Sequence, residues 1–250
     1  MNKKAESKII LSGNPLIDNS WGGFYKGGSF ILIGPTESGK TILALQFALN
    51  TSAKSERSLI LSTAGMNDLT INSTIINLDI QDFIDKGLTT VVRISESQEL
   101  KQSTKRNFDI KEFYDDVIKL TREYSPNKIV LDEFTPFLNP WNKKDLIKIF
   151  LELMKFFQKK EITTLYVLED KSMQSLGDIS QHLLNLSSAN ILLYKNEKQI
   201  SKSNPGLMKI FPNHNYPRKE LSSSYYVLIN KGIEINFEPQ NNFPSAISDN

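Results

Sequence analysis

Residues Gly34-Pro35-Thr36-Glu37-Ser38-Gly39-Lys40-Thr41 stand between an apolar run, Phe30-Ile31-Leu32-Ile33, and a helix-like run, Ile42-Leu43-Ala44-Leu45-Gln46-Phe47-Ala48-Leu49. No other stretch constrains the chain as much. It satisfies the template G-x-x-x-x-G-K-[ST] in the strand, loop, helix context in which that template binds phosphate. The glycines let the backbone wrap close to a phosphate chain with its N–H groups turned inward, and the helix start adds positive potential to the same place. Lys40 then reaches the β- and γ-phosphates of a nucleotide, and the Thr41 hydroxyl ligates Mg²⁺. All eight residues are therefore candidate cofactor-binding positions, and Thr41 is also a candidate metal ligand.

From Ser29 onward short apolar runs alternate with amphipathic stretches, the pattern of an α/β domain with a mostly parallel sheet flanked by helices. The spacing predicts strands over 29–33, 58–62, 89–94, 128–131, 163–168 and 190–194. It predicts helices over 40–54, 69–86, 110–123, 144–159 and 176–186. Residues 69–78 are rich in Thr, Asn and Ile, which have weak helix preference, so that crossover is expected to be short or irregular. Residues 222–237 read as two strands joined by an Asn230-Lys231-Gly232 turn, an antiparallel hairpin added to the sheet edge. Residues 198–219 are basic, contain proline and show little periodicity, so they are expected to form a loop. Residues 238–250 are polar and are expected to be a flexible tail. With 250 residues, 10 Pro, 12 Gly and no long low-complexity stretch, one domain with a core over 10–237 is the simplest organisation.

Composition narrows the chemistry. There is no cysteine, so disulfides, thiolate metal sites and cysteine nucleophiles are excluded. That composition fits a cytoplasmic protein. The two histidines, His182 and His214, are far apart and have no ligand spacing around them. A formal charge of +2 argues against the dense basic footprint of a dedicated nucleic-acid binder, while leaving a local patch open. No apolar segment approaches bilayer length and no secretory signal is visible, so membrane insertion is not expected.

Phosphoryl chemistry needs a carboxylate for the metal at the carboxyl end of a neighbouring strand. Asn127-Lys128-Ile129-Val130-Leu131-Asp132-Glu133 supplies one, which makes Asp132 the second candidate metal ligand.

Upstream, Ser12-Gly13-Asn14-Pro15-Leu16-Ile17-Asp18 and Gly22-Gly23-Phe24-Tyr25-Lys26-Gly27-Gly28-Ser29 resemble the entry segment of the KaiC-like branch of the RecA superfamily, which has T-G-x-x-x-L-D followed by G-G-x-x-x-G-S. The resemblance continues through the phosphate loop, the Asp132 strand, the strand ending Leu168-Glu169 and the Gly232-Ile233 hairpin, covering roughly residues 10 to 237. It implies a RecA-like P-loop ATPase core that binds ATP with Mg²⁺, often at a subunit boundary in rings or filaments, so a homo-oligomer is expected. Two departures stand out. Hydrolysing members carry one or two glutamates just after the second core strand, whereas this chain has Leu61-Ser62-Thr63-Ala64-Gly65-Met66-Asn67-Asp68. Glu133 is the nearby substitute and hence the candidate catalytic residue, with its side chain directed either at the site or to the opposite face of the strand end. Asp68 is a remoter candidate. The family also places Lys and Arg before the final hairpin, where they reach the neighbouring subunit's nucleotide. Lys209 fits the lysine, but Phe211 stands where the arginine is expected, and Arg218 is the available substitute. An arginine finger supplies a rate factor of about 10³ to 10⁵. Without it and the glutamate, hydrolysis is expected to be slow or absent.

The aromatic loop Phe134-Thr135-Pro136-Phe137-Leu138-Asn139-Pro140-Trp141 fits a protein-partner patch and a self-packed loop equally well. Trp21 fits ordinary packing better than a subunit contact or the rim of the site. Lys143, Lys144 and Lys148, and separately Lys101, Lys105 and Arg106, form basic clusters that fit a solvated surface better than a nucleic-acid contact. Residues 170–178, where superfamily relatives contact DNA, are not strongly basic. The sequence thus points to an ATP-binding protein whose occupancy controls assembly or a protein partner. A DNA-dependent recombinase paralogue and a scaffold with a vestigial site are the alternatives.

Overall fold

The computed structural model describes residues 8–50, 56–94, 110–133, 143–170, 178–195, 200, 205–213, 222–229 and 232–236. Strand β1 (Ile9–Ile10) pairs antiparallel with β2 (Phe24–Tyr25), and helix α1 (Pro15–Trp21) lies between them in sequence. The chain continues through β3 (Ser29–Gly34), α2 (Lys40–Leu49), β4 (Ser58–Ser62), α3 (Met66–Ile75), α4 (Ile80–Asp85) and β5 (Thr89–Arg93). Then come α5 (Ile110–Tyr124), β6 (Lys128–Asp132), α6 (Lys143–Lys159), β7 (Thr163–Glu169), α7 (Asp178–Leu186) and β8 (Ala189–Tyr194). Strands β9 (Gly206–Pro212), β10 (Ser222–Ile229) and β11 (Gly232–Asn236) close the sequence of elements.

Nine strands form one sheet in the order β11-β10-β9-β8-β3-β7-β6-β4-β5. The six from β8 to β5 are mutually parallel, and β9, β10 and β11 are added antiparallel at one side. The central strands are buried on both faces, and their residues alternate between two cores as the pleat requires. Phe30, Leu32, Ile60, Val130, Leu165 and Val167 pack with α1 and α2. Ile31, Ile33, Leu59, Leu61, Ile129, Leu131, Tyr166 and Leu168 pack with α5, α6 and α7. Helix α2 is enclosed by this arrangement, with every residue but Thr41 buried. Its apolar composition on all sides is what an enclosed helix requires.

The entry segment is a cap built from its own side chains. Asn14 Oδ1 accepts from Leu16 N at 3.1 Å and Ile17 N at 3.4 Å, and Pro15 opens α1. Asp18 accepts from Ser12 N and Ser12 Oγ, each at 2.8 Å, and from Gly13 N at 3.1 Å. Trp21 is 2% exposed within the core, in accord with ordinary packing.

Three expectations are corrected. The crossover over 69–86 is two helices rather than one: α3 begins three residues earlier, and the chain breaks at Asn77, whose φ is 55°. Asp79 then caps α4 by accepting from Gln81 N at 3.0 Å. Helix α2 stops at Leu49 because Asn50 is extended. Residues 206–212, expected as loop, form β9, with Met208 and Ile210 buried and Leu207, Lys209 and Phe211 on the other face. The alternation is present there, but Gly206 and Pro212 at its ends and the surrounding polar residues obscure it. The C-terminal antiparallel hairpin is present as expected, with Gly232, expected in the turn, opening β11 opposite Ile229. Among the described residues no helix is long and apolar enough to cross a membrane.

Candidate nucleotide site

In parallel α/β sheets, ligands bind beyond the carboxyl ends of the strands, and the candidate residues converge there. Strand β3 ends at Gly34, where the backbone turns and a side chain has no room: a Cβ would fall 2.5 Å from Ser38 Oγ and 3.0 Å from Leu193 Cβ. Glu37 (φ 61°) and Gly39 (φ 91°) are left-handed, and Gly39 is the N-cap of α2. The loop thus coils back onto a helix N-terminus, as phosphate binding requires.

Lys40 is 6% exposed. Its Nζ donates to Pro35 O at 3.0 Å and stands 3.8 Å from Glu133 Oε1. Thr41 Oγ1 donates to Asp132 Oδ1 at 3.4 Å, and Ser62 Oγ donates to Asp132 Oδ2 at 3.2 Å. One hydroxyl from the first turn of α2 and one carboxylate from the end of β6, two places from β3 in the sheet, suit Mg²⁺, which keeps several waters and takes few protein ligands. Among the described residues there is no group of three or more His, Cys, Asp or Glu that could hold a metal ion.

Burial pushes the Asp132 carboxyl up from its ordinary value, against the opposing hydrogen bonds from Ser62 and Thr41 and the charge of Lys40. Glu133 is also pushed up, first by burial and then by Asp132 and Glu169, while Lys40 draws it down. A bound cation would relieve this crowding of acids. Glu133 has φ 56°, a left-handed conformation uncommon for a residue with a side chain. Of the two orientations left open by the sequence, its carboxylate takes the one facing Lys40.

At the end of β4, just before the stretch that lacks a glutamate, Ser62 is fully buried and also accepts from Ala64 N at 3.1 Å. Asp68 is exposed in the first turn of α3. Residues beyond the phosphate loop and the Asp132-Glu133 strand end also join the site. Glu169 Oε1, at the end of β7, accepts from Thr36 Oγ1 at 2.7 Å. Lys195, just past β8, pairs with Glu37 at 3.2 Å. Tyr226 OH, on β10, donates to Ser38 O at 2.7 Å. Glu169 and Lys195 were detectable as charged residues terminating apolar strands; Tyr226 had no sequence signal. Lys209 lies on β9 with its Nζ 5.4 Å from the ring centroid of Tyr194, which is 43% exposed. Lys144 and Lys148 are exposed on α6, and His182 is exposed on α7. Phe134 to Trp141, Lys101, Lys105, Arg106, His214, Arg218 and residues 171–177 lie outside the described residues.

A sequence model of the family described as "ATPase: KaiC" matches residues 10–235. The chain belongs to the KaiC ATPase family. The circadian clock protein KaiC2 of Synechocystis is 25% identical over 166 residues, covering 65% of this chain and 28% of that protein. The circadian clock protein KaiC3 of the same organism is 23% identical over 197 residues, covering 77% and 37%. The chain therefore spans roughly a third of the length of these KaiC relatives. A crystal structure of a KaiC-like protein from the archaeon Pyrococcus horikoshii OT3 superposes with a TM-score of 0.71 at 19% identity, covering 91% of this chain and 98% of that one. The fold is accordingly that of a KaiC-like, RecA-superfamily P-loop ATPase.

Proposed function

We propose that this chain binds ATP with Mg²⁺ in the 34–41 loop, hydrolyses it slowly or not at all, and uses occupancy to control assembly or a protein partner in the cytoplasm. The observation that carries this reading is the joining of Thr41 to Asp132 across 3.4 Å, with the Lys40 ammonium held over the same loop. The loop N–H groups and Lys40 would neutralise the phosphates, and Thr41 and Asp132 would hold the ion, whose charge supplies further neutralisation of the phosphate oxygens. Glu133, whose carboxylate stands 3.8 Å from Lys40 Nζ, would orient a water. Membership of the KaiC ATPase family supports nucleotide binding. The lack of a glutamate after Ser62-Thr63 and the phenylalanine at 211 support slow turnover, since the resemblance puts catalytic groups of hydrolysing relatives at both places.

Equilibrium ATP binding and phosphate release measured on one sample test this reading. The expected result is saturable, Mg²⁺-dependent binding with turnover below about 1 s⁻¹, the low end for enzymes. Rapid phosphate release would refute the occupancy reading, and absence of binding would favour a vestigial site.

A further inference from the structure

We propose that Tyr226, on the C-terminal hairpin, positions the phosphate loop for anion binding by fixing the direction of the Ser38–Gly39 peptide. The inference rests on the nucleotide-binding reading and adds to it a residue 188 positions from the loop it holds.

Tyr226 is fully buried, and its hydroxyl donates to Ser38 O at 2.7 Å. Burial pushes the phenol well above its ordinary pKa, so it remains a neutral donor across the accessible pH range. The ring reaches the loop by lying across its register partner, Gly206. A Cβ on Gly206 would fall 2.5 Å from the ring Cζ and 2.9 Å from the hydroxyl. Glycine there is the space the tyrosine needs.

At the receiving end, Ser38 is fully buried, and its Oγ has no hydrogen-bond partner among the described residues. The serine side chain therefore does not fix the peptide, and the carbonyl bond from Tyr226 does. A trans peptide is planar, so its C=O and the following N–H point in opposite directions. Drawing Ser38 O towards Tyr226 turns the Gly39 N–H away from it, at the loop position that leads into α2. The same hairpin grips that helix: Ile233 N, on β11, donates to Gln46 Oε1 at 3.3 Å. Loop and helix are thus referenced to one added element.

The test compares wild type, Tyr226→Phe, Gly206→Ala and the double variant, with ATP·Mg²⁺ and with tripolyphosphate, which presents the phosphate chain alone. Tyr226→Phe should weaken both ligands about 3- to 10-fold, the range for one hydrogen bond. The Gly39 amide resonance should shift in the ligand-free protein. Gly206→Ala, which displaces the ring, should give a similar loss, and the double variant should lose no more than Tyr226→Phe, because both changes act through one bond. Urea unfolding of each variant shows whether the folded state persists under the binding conditions. Wild-type affinity for tripolyphosphate in Tyr226→Phe, an unmoved Gly39 resonance, or additive losses in the double variant would overturn the proposal. Failure of the wild type to bind either ligand would instead contradict the nucleotide reading on which it rests.

Discussion

Lys128 opens strand β6 and is 1% exposed, an unusual place for an ammonium group. Its Nζ donates to Phe47 O at 3.3 Å and to Asn50 O, the carbonyls at the end of α2, and pairs with Glu56 at 3.2 Å. It also stands 5.4 Å from the Phe47 ring centroid. A lysine placed there supplies positive charge to the carboxyl end of the phosphate-loop helix. Lys128→Ala removes all of these contacts and leaves Glu56, itself largely buried, without this cation. Breaking a buried pair costs about 3 to 5 kcal/mol. The partial access of Glu56 to water points to the lower end, about 3 kcal/mol, or roughly 6–12 °C in Tm for a chain this long. Lys128→Met keeps most of the apolar volume and removes the desolvation that draws the lysine pKa down, so it should cost less than half as much. Burial lowers this pKa in the folded protein. Between that lowered value and the ordinary one near 10.5 the unfolded chain binds the extra proton, so stability rises with pH through the window. Lys128→Met should flatten that rise. Urea unfolding followed by circular dichroism, repeated across pH, measures both effects. A Lys128→Ala change within about 0.5 kcal/mol of wild type, as at ordinary surface sites, would refute the reasoning.

Glu133→Gln should lower residual ATP turnover by at least about 100-fold if Glu133 orients the water. A preserved single-turnover rate would exclude that role and leave Glu169 or Asp68 as the base. Asp132→Asn should chiefly reduce the Mg²⁺ dependence of ATP binding, read as the difference in affinity with and without the ion; an unchanged difference would remove Asp132 as metal carboxylate. If ATP binds between subunits, it must favour assembly by linkage. Light scattering should then show a larger mass with ATP·Mg²⁺ at tens of micromolar and a smaller effect in Lys209→Ala, whereas a wild type that stays monomeric would rule out the shared site.

The strand positions were legible because central strands buried on both faces are short, continuous apolar runs. Residues 58–62 were placed with their observed ends, and the other strands of the parallel set within one residue at either end. The paired helices α3 and α4 were harder to read, since the break at Asn77 depends on a left-handed residue that no local pattern announces. Strand β9 was missed because only two alternate apolar side chains, Met208 and Ile210, mark its buried face, and amid charge and proline they look like a loop. At the site, Lys40, Thr41 and Asp132 followed from phosphoryl chemistry and strand order. The bonds from Glu169, Lys195 and Tyr226 to the loop did not, because they join residues far apart in sequence, the first two from the ends of the strands flanking β3 and the third from β10, three strands away. The orientation of Glu133 likewise depends on one dihedral angle and was open until the fold fixed it.

The central claim is that the 34–41 loop holds the phosphates of ATP through Lys40. Calorimetric titration of ATP·Mg²⁺ into wild type and Lys40→Ala tests it most directly. Loss of a charge-assisted contact to phosphate predicts at least a tenfold weaker affinity, about 1.4 kcal/mol or more, in the variant. Equal affinities in the two proteins would contradict the account.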